Sequence, residues 1–180
     1  MTPLCNLATQ YGTNKVDMGY TPFYYELLKD KRVRRVLEVG IGGPGLSGGA
    51  SKHGASLYMW RNFFPLANIY GLDVDRKLLF AANGILTAWA DVNNPQSLID
   101  AALYFGGDFD MIVDDAVHLP AQQLGTAVTL LPFLSKDGIY IIEDVANCDP
   151  MEIIQHIPPE YACWSIWFTQ LPLVVIKPIK

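Results

Sequence analysis

At 180 residues the chain has the length of one domain, and at that size roughly two thirds of the unfolded surface can be buried without a disulfide or metal staple. A net charge of -5, with the basic residues forming only one short cluster from Lys29 to Arg35, gives no long-range attraction to phosphate backbones or anionic lipid, so neither nucleic acid nor a membrane is an expected partner. The 51% hydrophobic and 17% charged content leaves apolar surface that a second subunit would cover, which makes a homo-oligomer an expectation.

In chain order, Thr21-Pro22 predicts the start of a first helix running through Phe23, Leu27 and Leu28, with Thr as N-cap and Pro at the first helical position. Apolar runs bounded by turn signals predict strands at Arg35 to Val39, Asn68 to Leu72, Ile85 to Ala90, Phe109 to Val113 and Gly138 to Ile142. Helices are expected between them over Ser56 to Phe64, Arg76 to Ala82, Pro95 to Phe105 and Leu119 to Leu134. Alternating strand and helix is the signature of a parallel sheet covered on both faces. The tail departs from it: Cys163 to Thr169 and Leu173 to Ile179 are joined by only Gln170, Leu171 and Pro172. So short a link forces an antiparallel hairpin. The expectation is an α/β domain over residues 1–180 with a mostly parallel seven-stranded sheet, a C-terminal antiparallel hairpin, and residues 1–31 as an N-terminal helical lid segment.

Cys5, Cys148 and Cys163 are odd in number and lack metal-ligand spacing. No apolar run approaches the eighteen or so residues of a membrane span, and the N-terminus lacks the basic and apolar pattern of a leader. A reducing, cytoplasmic setting is expected.

Strand one runs into glycines as Val-Leu-Glu-Val-Gly-Ile-Gly-Gly-Pro-Gly over residues 36–45. Glycines at the carboxyl end of a first strand let a ligand approach the backbone, so Gly40 and Gly42 are candidate nucleotide-binding positions. The spacing Gly40, Gly42, Gly45 also satisfies the dinucleotide fingerprint. Against that, the glycines continue to Gly54 before any helix begins, whereas a pyrophosphate site needs the helix N-terminus at once. The stretch from Gly42 to Gly54 is a candidate flap. Glu38, inside the strand, is typical of S-adenosylmethionine enzymes. Asp73 ends strand two, where a carboxylate accepts both ribose hydroxyls, and Asp91 ends strand three, within reach of an adenine amino group.

Asp114-Asp115 and Glu143-Asp144 close two sequential strands, and adjacent strands lie about 4.8 Å apart. Carboxylates at both ends can share one ion. Hard oxygen ligands without paired His or Cys favour Mg2+ over zinc. Both members of the second pair can ligate only if the strand has already ended. His118 follows Asp115 by three residues and is the candidate general base for a hydroxyl bound there. His53 and His156 have no comparable company.

These segments resemble the class I, Mg2+-dependent O-methyltransferases of the macrolide-sugar (mycinamicin type) and cephamycin-biosynthesis families. The resemblance is carried by residues 36–43, 54–65, 69–73, 109–118 and 138–144. It implies a Rossmann-like class I methyltransferase fold, S-adenosylmethionine as donor and a small-molecule hydroxyl, of a sugar or another natural product, as acceptor. It further implies Asp115, Glu143 and Asp144 as metal ligands, His118 as base, and Glu38, Gly40, Asp73 and Asp91 around the donor. Tyr11 to Lys15 and Gly19-Tyr20-Thr21 look like the segment that closes over the donor, which makes Tyr20 and Thr21 further candidates. The family commonly has His where this chain has Gly19, and an additional N-terminal domain is not expected here. Two rivals are a donor-binding protein that has lost catalysis and a nicotinamide-dependent oxidoreductase. The second explains neither the acidic pairs nor the terminal hairpin.

Overall fold

The computed structural model describes residues 1–42, 53–168 and 170–180. Its strands are β1 (Arg35–Val39), β2 (Asn68–Asp73), β3 (Ala81–Ala82), β4 (Ile85–Trp89), β5 (Phe109–Asp114), β6 (Leu134–Ile142), β7 (Tyr161–Ile166) and β8 (Leu173–Pro178). They form a single sheet in the order β3-β4-β2-β1-β5-β6-β8-β7. The run from β4 to β6 is parallel. The final strand enters antiparallel between β6 and β7, as the short terminal link requires.

The strands are apolar on both faces because both are covered. Val36, Met111, Val113, Ile139 and Ile141 pack under α1 (Pro3–Tyr11), α2 (Tyr20–Leu28) and α3 (Ala55–Phe63). Leu37, Val39, Ile112, Tyr140 and Ile142 pack under α4 (Pro95–Phe105), α5 (Pro120–Leu130) and α6 (Met151–Ile154). Helix α4 shows how local sequence fixes an element. Pro95 pre-sets its first turn, and Gly106 ends it at φ 92°, donating to the Ala102 and Leu103 carbonyls.

The sheet has eight strands, not seven. The expected helix over Arg76 to Ala82 is instead a single 3-10 turn, Arg76–Leu78, followed by β3. The reason lies in Asn83-Gly84, a two-residue hairpin turn with Gly84 at φ 76°, which pairs Ala82 with Ile85. Thr87 reinforces it by accepting from the Phe80 amide at 2.5 Å. The helix expected to reach Leu134 stops at Leu130, ahead of Pro132, and β6 starts at Leu134. Helix α1 precedes the one expected first, opened by Thr2 as N-cap and Pro3. Most of the candidate flap, residues 43–52 with Gly45 of the dinucleotide spacing, lies outside the described residues, as does Thr169.

Candidate active site

Parallel register places the functional residues on one edge. Val39 pairs with Asp114, and Asp114 with Ile142, so the next residues, Gly40, Asp115 and Glu143, emerge side by side. The backbone ladder continues one step past the strands, with the Asp115 amide donating to Val39 O and the Glu143 amide to Asp114 O, each at 2.9 Å. Here the chain turns from β1 toward β2 on one side while β5 lies on the other, the switch point where open α/β sheets hold ligands. A cleft of about 650 Å³ opens there. Gly40 is demanded by this closeness: at φ 84°, a Cβ would lie 2.3 Å from the Asp115 carbonyl oxygen. Gly42, at φ 64°, has no atom within 4 Å of such a Cβ among the described residues. Gly40→Ala should therefore cost about 2–3 kcal/mol of stability and Gly42→Ala about 1 kcal/mol. Urea denaturation of both variants checks the ranking; equal costs would refute the close-approach account.

At one end of the cleft the two acidic pairs divide. Asp114 completes β5 and is 2% exposed, and its carboxylate accepts from the Ala116 amide and the Tyr140 hydroxyl, both at 3.4 Å. Burial pushes its pKa up to about 7. Asp115 faces the cleft. Its Oδ1 is 3.2 Å from His118 Nε2 and its Oδ2 is 2.7 Å from Lys15 Nζ. Asp144 lies beyond the end of β6 with φ at 51°, and this left-handed residue ends the strand geometry and leaves Asp144 lining the cleft. Asp144 Oδ1 accepts from the Tyr20 hydroxyl at 2.5 Å, and Oδ2 is 3.9 Å from His118 Nδ1. The Asp115 hydrogen bond raises the His118 pKa above its ordinary value, with burial opposing. Asn147 Nδ2 donates to the His118 carbonyl at 2.6 Å and fixes the backbone beneath the ring.

Asp115, His118 and Asp144 each offer one ligand atom within 4.8 Å of the others. Glu143 stands aside from that trio. Its Oε2 is 2.6 Å from Lys15 Nζ, its Oε1 accepts from the Tyr24 hydroxyl, and its carbonyl accepts from Gln123 Nε2 at 2.8 Å. Lys15 is 1% exposed and also 3.5 Å from Glu38 Oε1. Burial works against the ammonium, but the Asp115, Glu143 and Glu38 carboxylates outweigh it and hold the Lys15 pKa well above the usual value. One ammonium serves three carboxylates, and burial holds the Glu143 pKa above the usual range despite it. A site with this surplus of hard oxygen donors suits a divalent cation, which fits the expected Mg2+ chemistry. Sequence reasoning placed Lys15 only in the segment expected to close over the donor and gave Tyr24 no role. The one available signal was that a buried lysine is almost always paired.

At the other end, Asp73 accepts from the Ile41 amide on Oδ2 at 3.2 Å and from the Asp75 amide on Oδ1 at 2.8 Å, which orients its carboxylate at the cleft wall. Asp91 also lines the cleft, with Oδ1 accepting from the Asn93 amide at 2.9 Å. Glu38 reaches the cleft floor but spends Oε2 on Trp60 Nε1 at 2.6 Å. Tyr20 and Thr21 do not line the cleft: the first meets Asp144, and the second is buried with its hydroxyl 3.3 Å from Cys5 Sγ. Thr13 and Asn14, from the same N-terminal segment, line it instead.

No protein-family model matches the chain. It is 36% identical over 150 residues to mycinamicin VI 2''-O-methyltransferase of Micromonospora griseorubida, an alignment covering 79% of this chain and 36% of that protein. It is 36% identical over 131 residues to demethylmacrocin O-methyltransferase of Streptomyces fradiae, covering 70% of this chain and 31% of that one. Among solved structures, the MycE methyltransferase of the mycinamycin biosynthetic pathway, in complex with Mg, SAH and mycinamycin VI, superposes with a TM-score of 0.79 at 28% identity. That superposition covers 98% of this chain and 54% of MycE. The chain thus spans about a third of the length of these curated relatives, and its α/β sheet with antiparallel C-terminal strands matches the class I methyltransferase neighbours.

Proposed function

We propose that this domain, with its class I methyltransferase fold and its likeness to the sugar O-methyltransferases of macrolide biosynthesis, transfers a methyl group from S-adenosylmethionine to a hydroxyl of a small molecule, a natural-product sugar being the favoured acceptor, with Mg2+ assistance. The observation that carries the reading is the placement of His118 between Asp115 and Asp144 at one end of a cleft whose other end presents Gly40, Gly42, Asp73 and Asp91. When bound, the donor supplies an electrophilic sulfonium methyl and the divalent ion supplies positive charge beside the acceptor oxygen.

The remaining work falls to this chain's residues. Asp73 and Asp91 would hold the donor's ribose and base, and the glycines would admit it against the backbone. Asp115 and Asp144 would hold the ion, with Glu143, engaged by Lys15 and Tyr24, as the third carboxylate of the cluster. His118 takes the hydroxyl proton: with Nε2–H donated to Asp115, the Nδ1 lone pair is the accepting position. The chain makes no covalent bond to substrate, so orientation and replacement of solvent around the developing alkoxide supply the rate gain.

Calorimetric titration with S-adenosylhomocysteine, with and without Mg2+, tests the donor site. Micromolar binding is expected in the presence of Mg2+. Absence of binding in both conditions would remove the methyltransferase reading.

A further inference from the structure

We propose that Lys15 is a tethered counter-ion of the carboxylate cluster, a positioning residue that holds Asp115 and Glu143 in place before a divalent ion arrives and weakens that ion's binding once it does. The inference rests on the ion-assisted reading above and concerns a residue that reading does not use.

The geometry is specific. The ammonium is almost completely buried and lies 2.7 Å from Asp115 Oδ2, 2.6 Å from Glu143 Oε2 and 3.5 Å from Glu38 Oε1. Those three groups come from the ends of three adjacent strands, whereas Lys15 sits in the turn between α1 and α2. Glu38 Oε1 is buried and has no hydrogen-bond partner among the described residues, so charge alone ties it to Lys15. Tyr20 and Tyr24 act in the same direction, donating to Asp144 and Glu143 from the next helix. The N-terminal segment thus grips the acidic edge through one cation and two phenols. Without that cation, three carboxylates would face one another in a poorly solvated space, which is costly. A divalent ion drawn to Asp115 meets a fixed positive charge on the same carboxylate, and the repulsion lowers its affinity.

The test is Mn2+ binding, read by the loss of the free-ion electron paramagnetic resonance signal, in the parent and in Lys15→Met with no donor or acceptor present. Lys15→Met should bind Mn2+ roughly tenfold more tightly. Its melting temperature should fall in chelator and be largely restored by saturating Mn2+. Lys15→Met combined with Glu143→Gln should return affinity toward the parent value, because the carboxylate released by losing Lys15 is then gone. Equal or weaker Mn2+ binding in Lys15→Met overturns the proposal. So does a fall in melting temperature that is the same with and without Mn2+, as a merely structural lysine would give, or failure to fold in both conditions. A parent that binds no Mn2+ overturns the ion-assisted reading and this proposal with it, whereas a parent that binds Mn2+ no more weakly than Lys15→Met overturns this proposal alone.

Discussion

Replacing His118 by alanine should lower turnover by about 10²–10⁴-fold while leaving S-adenosylhomocysteine affinity within about twofold of the parent, the range expected for removing a positioned general base. The two effects separate because the imidazole and the proposed donor-binding acids Asp73 and Asp91 stand at different ends of one cleft. His118 meets Asp115 and Asp144, whereas Asp73 is oriented by the amides of Ile41 and Asp75, and Asp91 by that of Asn93. Loss of the ring removes the proposed proton acceptor and frees Asp115 Oδ1, but touches none of those bonds. Single-turnover rates with a hydroxylated acceptor, paired with calorimetry, measure both quantities. Parental turnover in the variant would rule out His118 as base; lost donor affinity would mean the ring shapes the cleft instead.

The elements that position the site were legible because the physics acting on them is local. Strands buried on both faces read as mostly apolar runs bounded by turn residues, and Asp73, Asp114 and Glu143 each come first after such a run. Parallel register then brings those ends together without further information, which is how Asp115 and Asp144 reach one cleft with His118. What sequence concealed is long-range or depends on one dihedral. Lys15 meets Asp115 across 100 residues and Glu143 across 128, and no spacing rule links them. The pair Asp114-Asp115 looks uniform in sequence, yet strand alternation sends one side chain under Tyr140 and the other into the cleft. The left-handed turn at Asp144 likewise decides how the second pair is presented. By contrast, Asn83-Gly84 is a hairpin signal that the sequence itself carries, and it ends the expected Arg76 to Ala82 helix. The Thr2-Pro3 helix start was equally readable.

That division between adjacent aspartates yields the sharpest contrast available in the molecule. Asp115→Asn should raise the Mg2+ concentration for half-maximal activity by about 10–100-fold, whereas Asp114→Asn should leave it within about twofold. An amide at residue 115 cannot serve both of its neighbours. Oδ1 and Oδ2 of Asp115 now accept from the His118 ring and from Lys15, and an asparagine must turn its NH2 toward one of those donors. Whichever way it turns, the negative charge shared by the ion site is lost. At residue 114 the carboxyl group is enclosed on the other face, where the Ala116 amide donates to Oδ1 and the Tyr140 hydroxyl to Oδ2; an asparagine keeps its oxygen for the amide and turns its NH2 to the hydroxyl, which, unlike the Lys15 ammonium, can rotate to accept. Activity measured against Mg2+ concentration for both variants discriminates directly. If Asp114→Asn shifts the Mg2+ dependence as much as Asp115→Asn, the ion responds to total acidic charge at the end of β5, and the assignment of Asp115 as the ligand facing it fails.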